Sequence, residues 1–140
     1  MNIERTELEK IVREILSQKL GTNGIRSVAV PSIPVSESDR LDTGNPADKV
    51  YTHDLFTLSE SPRLGCGIME MTDSAFDWHL SYDEIDYIIS GSLSIISNGV
   101  ETNAKEGEII LIPKNSDIRF SVRGFARFLY FTYPANWAEV

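Results

Sequence analysis

The chain has 140 residues, 41% of them hydrophobic and 24% charged, with 21 acids against 13 bases and a formal net charge of −8. That length accommodates one domain with a short appendage, and the composition is that of a globular chain rather than a disordered one. A pI near 4.7 argues against nucleic acid and anionic membrane surfaces as partners. The single cysteine, Cys66, removes disulfide frameworks and Cys-based zinc sites within one chain, and no apolar run reaches the roughly 18 residues of a membrane span. Acids among the N-terminal apolar residues do not fit a secretory signal, so a cytoplasmic location is expected.

In chain order, the first predicted element is an amphipathic helix over residues 1–20. Thr6 and Glu9 have capping-box spacing, and Leu8, Ile11, Val12, Ile15, Leu16 and Leu20 recur at helical steps to form one apolar stripe. Gly21 supplies a stop. Residues 21–46 carry Gly21, Gly24, Pro31, Pro34, Gly44 and Pro46 and read as a linker, with one short strand around Arg26 to Val30. A helix joined in this way either packs back on its domain or docks elsewhere.

Residues 47–140 read as an all-β domain. Short β-rich runs alternate with turn signals about every ten residues, as in a sandwich or barrel. The predicted strands are 49–57, 64–72, 76–80, 84–90, 92–97, 100–104, 108–112, 117–122 and 125–133. Turns are expected at Ser61-Pro62, Asp73-Ser74, Ser90-Gly91, Asn98-Gly99, Glu106-Gly107 and Arg123-Gly124, and Asn98-Gly99 is the strongest hairpin signal.

The charge is unevenly placed. Between Arg63 and Lys105 there is no Lys or Arg, while Glu70, Asp73, Asp77, Asp83, Glu84, Asp86 and Glu101 all lie in the gap. The run reads either as a solvated acidic face or as carboxylates directed into a cavity.

The gap contains Asp77-Trp78-His79, four further residues, Glu84, six residues and Gly91. This resembles the first motif of the cupin superfamily, with Asp77 in place of the first histidine. Gly107, five residues and Pro113 resemble the second motif, with Asn115 at its later glycine and Ile118 at its metal-binding histidine. The resemblance implies a cupin-type β-barrel, a jelly roll, preceded by the helix and linker. Strand alternation would project Asp77 and His79 together, with Glu84 and Asp86 in a second inward row. Asp77, His79 and Glu84 could make an oxygen-rich site for a hard divalent ion. Because Ile118 cannot ligate, no tightly bound cupin metal is expected.

Tyr82-Asp83-Glu84-Ile85-Asp86, Ile112-Pro113-Lys114, Arg127-Phe128-Leu129-Tyr130 and Pro134-Ala135-Asn136-Trp137 are similar to the EutQ family of ethanolamine-utilization proteins. The resemblance covers about residues 47–138 and implies an acetate kinase activity in a bacterial microcompartment. It also makes residues 6–20 a candidate encapsulation peptide for a shell protein. The sequence holds no P-loop, and its acids would repel phosphates, so Mg²⁺ accompanying ATP is expected. Glu84, Asp86 and His79 are the candidate acid–base residues. Asp77 and Glu84 are the candidate ligands of a divalent ion, and Tyr82, Tyr87 and Glu70 the candidate substrate contacts. A small-molecule ligand in the barrel and a homodimer complete the expected partners. The alternative is a non-catalytic assembly or binding factor with a degenerate cupin site.

Overall fold

The computed structural model describes residues 4–16, 18–20 and 23–139, with side chains for 4–10 and 23–139. It divides into two compact units, Met1–Pro34 and Val35–Val140.

In the first unit, helix α1 (Arg5–Leu16) is followed by strands β1 (Gln18–Leu20) and β2 (Arg26–Val28), which pair antiparallel with Gln18 opposite Val28. The helix expected across residues 1–20 is therefore shorter: it stops at Leu16, and Gln18–Leu20 is extended. It also begins at Arg5, so Thr6 lies in its first turn rather than at its cap. The expected apolar stripe falls mostly on side chains outside the described set, and its one described member, Leu8, is half exposed. The stop expected at Gly21 lies outside the described residues.

In the second unit the chain starts with a strap over residues 35–48. A 3-10 turn at Glu37–Asp39 is closed by a capping box in which Ser36 N donates to Asp39 Oδ2 at 2.8 Å. Leu41 N then donates to Val50 O at 2.9 Å, and Arg40 bridges to Tyr51. These bonds tie the strap, read from sequence as linker, to strand β3 (Lys49–Asp54).

The remaining strands are β4 (Gly65–Leu80), β5 (Asp83–Ser97), β6 (Val100–Lys105), β7 (Ile109–Ile112) and β8 (Ser116–Tyr133). Three of them join pairs of predicted strands. The turn signals at Asp73, Gly91 and Gly124 are positive-φ residues, and each sits inside a long strand. The ladder shifts register between Thr72 and Ser74 in β4, and between Gly91 and Ser94 in β5. These are bulges, which bend a strand without ending it. Asn98 and Gly99 do form the predicted tight turn, with φ of 51° and 76°.

The sheet runs β3-β4-β8-β5-β6, with β7 attached to β5. No pairing among the described residues joins β3 back to β6 or β7, so the sheet is open. The closed jelly-roll barrel expected from the sequence is corrected to an open, bent, antiparallel sheet. The bent sheet encloses a core that includes Met69, Met71, Phe76, Leu80, Ile88, Leu93, Phe120 and Phe128. Each such side chain contributes about 1.5–3 kcal/mol by leaving water.

Candidate functional site

Two carboxyl side chains lie on the inward face of the sheet. Glu84 and Asp86 alternate with exposed Ile85 and Tyr87 on β5, and they are 6% and 0% exposed. Alternation forces the result: Ile88 on the same face is fully buried, and residues two apart share a face. Their cross-strand neighbours are Ile112 and Thr132 for Glu84, and Ile110 and Tyr130 for Asp86. Glu84 Oε2, both carboxyl oxygens of Asp86 and the Thr132 hydroxyl are buried with no partner from any other residue, and the two carboxyls hydrogen-bond to each other once one is protonated.

Charge is costly in such surroundings. Burial pushes the Glu84 carboxyl up to about 7, a rise that the adjacent Asp86 carboxyl moderates. Burial also pushes Asp86 well above the usual carboxylate range, and the Glu84 charge adds to the rise. Two carboxyls this close and this dry hold a proton near neutral pH.

Glu84 opens onto a cavity of about 20 Å³ walled by Trp78, Tyr82, Phe120, Tyr130 and Trp137, with Leu41, Thr52, Met69 and Phe76 around them. That is room for about one water-sized group. Trp78 Nε1 donates to the Tyr82 hydroxyl at 2.8 Å. The Tyr130 hydroxyl donates to Asp54 Oδ1 on β3. Gly65 and Gly67 on β4 leave the space that Thr132 and Tyr130 of β8 occupy. A Cβ on Gly65 would stand 2.2 Å from Thr132 Oγ1, and one on Gly67 would stand 2.1 Å from the Tyr130 ring.

The other predicted site residues lie elsewhere. Phe76, Trp78 and Leu80 take the inner face of β4, so Asp77 and His79 point outward. Arg119 Nη1 donates to Asp77 Oδ1 at 2.9 Å, and His79 Nδ1 is 2.7 Å from Asp117 Oδ1, in each case directly across the β4–β8 ladder. Glu70 is half-buried in an ion pair with Arg127, also on the outer face. Tyr87 is exposed. Of the predicted residues the structure therefore brings together Glu84, Asp86 and Tyr82. Sequence reading missed Tyr130 and Thr132, although their alternation with Phe128 places all three on one face.

A cupin metal does not fit these residues. Asp77 and His79 are engaged on the face opposite Glu84, and Ile118 is buried apolar. Among the described residues, no group of three or more His, Cys, Asp or Glu is placed to hold a metal ion. No helix among them is long and apolar enough to cross a membrane.

Comparison with known proteins first defines the class. A cupin superfamily protein from Desulfitobacterium hafniense superposes with a TM-score of 0.58 at 14% identity, over 76% of this chain and 87% of that one, which shows the fold alone. The family follows from closer matches. Residues 3–139 match the model of the ethanolamine utilisation protein EutQ, and the chain belongs to that family.

A relative from Clostridioides difficile (strain 630), named acetate kinase EutQ, is 55% identical over 99% of this chain and 96% of its own length. A relative of the same name from Salmonella typhimurium (strain LT2) is 33% identical over 95% of this chain, which spans only 61% of it. The solved structure of the Clostridium difficile EutQ protein has a TM-score of 0.85 at 61% identity, covering 86% of this chain and 88% of that one.

Proposed function

We propose that this chain serves ethanolamine utilisation in a bacterial microcompartment as an acetate kinase-type phosphotransferase, with Glu84 and Asp86 as its acid–base centre. The observation that carries the reading is the buried carboxyl pair at an aromatic pocket. It occurs in a chain 55% identical, along its length, to a relative named acetate kinase EutQ. In that reaction an acetate oxygen attacks the γ-phosphorus of ATP, and the bond to the leaving ADP oxygen breaks. Positioning and charge compensation are what a protein contributes to such a step. Glu84, with its carboxyl pushed up to about 7, exchanges a proton at working pH. The nucleotide enters as its Mg²⁺ complex, because the oxygen-rich pair would repel bare phosphate. Asp77, paired with Arg119 on the outer face, takes no part.

The test is ATP-dependent formation of acetyl phosphate by the wild type, Glu84→Ala and Asp86→Ala. Each change is expected to lower kcat about 100-fold or more. Absence of activity in the wild type, or its survival in both variants, overturns the reading.

A second reading, a non-catalytic binding factor, is favoured by the cavity itself. It holds about 20 Å³, and no Lys or Arg is among its described lining residues to steady a phosphate. The chain's partners in this setting are a shell protein, through residues 6–20, and a second copy of itself.

A further inference from the structure

The pocket at Glu84 has the walls of a cation site. Trp137 stands 6.1 Å from Trp78, 5.8 Å from Tyr82 and 6.4 Å from Tyr130, ring centre to ring centre, and none of these pairs is stacked flat. Glu84 is the carboxylate among the lining residues, and its buried Oε2 has no partner outside the carboxyl pair it forms with Asp86, which lies behind it on the same face of β5. Among the described lining residues there is no Lys, Arg or His. Every group that meets this space is therefore electron-rich or neutral, and buried acceptors left without donors are costly.

An NH₃⁺ group answers each of these features. It is close to water in size, which suits a cavity of about 20 Å³. It brings donors to Glu84, whose only other donor is the proton it shares with Asp86, and a positive charge to a carboxylate that has no Lys, Arg or His beside it among the described lining residues. Ring faces attract such a cation by about 0.5–2 kcal/mol each. An anion would meet no positive side chain here, and a metal ion would meet too few ligands.

We propose that this pocket binds the head group of a small primary alkylammonium ion, its NH₃⁺ seated in the cavity beside Glu84 and its short carbon chain leading outward past the partly buried rings of Trp78 and Trp137. Asp86 lies behind Glu84 on the same strand face, and Thr132 is the neighbour of Glu84 across the β5–β8 ladder. A quaternary ammonium is too bulky for the cavity, so the site discriminates by head-group size as well as by charge. The binding shares its pocket with phosphoryl transfer but not its chemistry, and its test contains no nucleotide.

That test is calorimetric titration of the full chain with ethanolamine, with ethylene glycol as the neutral isostere and choline as the quaternary one. Ethanolamine is expected to bind saturably, ethylene glycol not at all, and choline at least about tenfold more weakly. Binding favours ionised Glu84, so affinity should rise about tenfold per pH unit up to about pH 7 and then level off. The other titratable groups around Glu84 are Asp86, held protonated by burial, and Tyr82 and Tyr130, both pushed upward; Asp54 lies beyond the Tyr130 hydroxyl.

Glu84→Gln keeps the shape and should weaken binding at least about tenfold, whereas Glu84→Asp should retain the pH slope. Circular dichroism of both variants confirms that the fold is intact. The proposal is overturned by equal affinity in Glu84→Gln or equal binding of ethylene glycol. It is also overturned if the wild type shows no saturable binding up to about 100 mM. Loss of acetyl phosphate formation alone would leave it standing.

Discussion

Glu84 and Asp86 give this chain a pH dependence opposite in sign to that of a salt-bridged carboxylate such as Glu37, which Arg40 holds below its ordinary value. Burial pushes Glu84 from an ordinary 4.5 up to about 7, and pushes Asp86 in the same direction. The folded chain keeps protons that the unfolded chain releases. The associated stability is fully present below the unfolded value and is lost as pH rises through the folded one. Glu84→Gln is neutral at every pH and should remove the share of that slope that belongs to Glu84. Relative to the wild type, the variant should gain on the order of 3 kcal/mol between pH 4 and pH 8. Urea unfolding at both pH values measures it, and an unchanged difference between the two proteins would contradict a buried, proton-holding Glu84.

At the scale of elements, the bulges are what make three long strands out of six short ones. Gly91 has a φ of +77°, and a Cβ there would stand 1.9 Å from the Phe125 carbonyl oxygen of β8. Gly99, in the Asn-Gly turn, has a φ of +76° and nothing within 4 Å. The two positions separate backbone strain from close approach. Gly99→Ala should cost about 1 kcal/mol, and Gly91→Ala about 1–3 kcal/mol more. Equal losses in thermal unfolding would mean that the β5–β8 approach is not tight.

The same positions explain what the sequence could and could not convey. Alternation and turn residues reveal where strands lie: each predicted β segment of the second unit overlaps a strand, although the one predicted over 49–57 ends at Asp54. A positive-φ residue, however, signals a hairpin turn and a bulge alike, and only the distant partner strand decides between them. Closure is non-local for the same reason, since it depends on whether the edges β3 and β6 find each other. Within the site, alternation correctly set Glu84 and Asp86 on one face. It also set Asp77 and His79 together, but the apolar trio Phe76, Trp78 and Leu80 between and around them takes the core and sends them to solvent.

For the whole molecule, the two faces of the sheet differ from the usual apolar-in, polar-out arrangement. Leu111, Ile85 and Phe131 form one row across β7, β5 and β8 on the outer face, and Ile109, Tyr87 and Leu129 form the next. Ile109 and Leu111 are 64% and 65% exposed. With a net charge of −8, two copies repel except where charge is sparse, and these rows are uncharged. A homodimer through this face is expected, and Leu111→Glu should convert it to a monomer in sedimentation. A monomeric wild type, or a variant that still pairs, would remove this surface from consideration.

The first unit offers a separate test. Val35–Val140 is compact in its own right, so deleting residues 1–20 should release the protein from purified microcompartments while the β unit stays folded. Unchanged association after the deletion would exclude docking through that segment.

Strand β5 carries both surfaces at once, with even positions from Glu84 to Ile88 facing the buried interior and odd positions from Asp83 to Tyr87 facing out. This parity makes length, rather than residue identity, the least negotiable property of the segment. A substitution alters one face, whereas one inserted residue would exchange the two. It would turn Ile85 and Tyr87 toward the interior and the carboxyls toward water. Insertion scanning along the chain should therefore find β5 intolerant at every position between Asp83 and Ile88. The exposed connection at residues 57–63, which carries no such parity, should accept added residues with little loss.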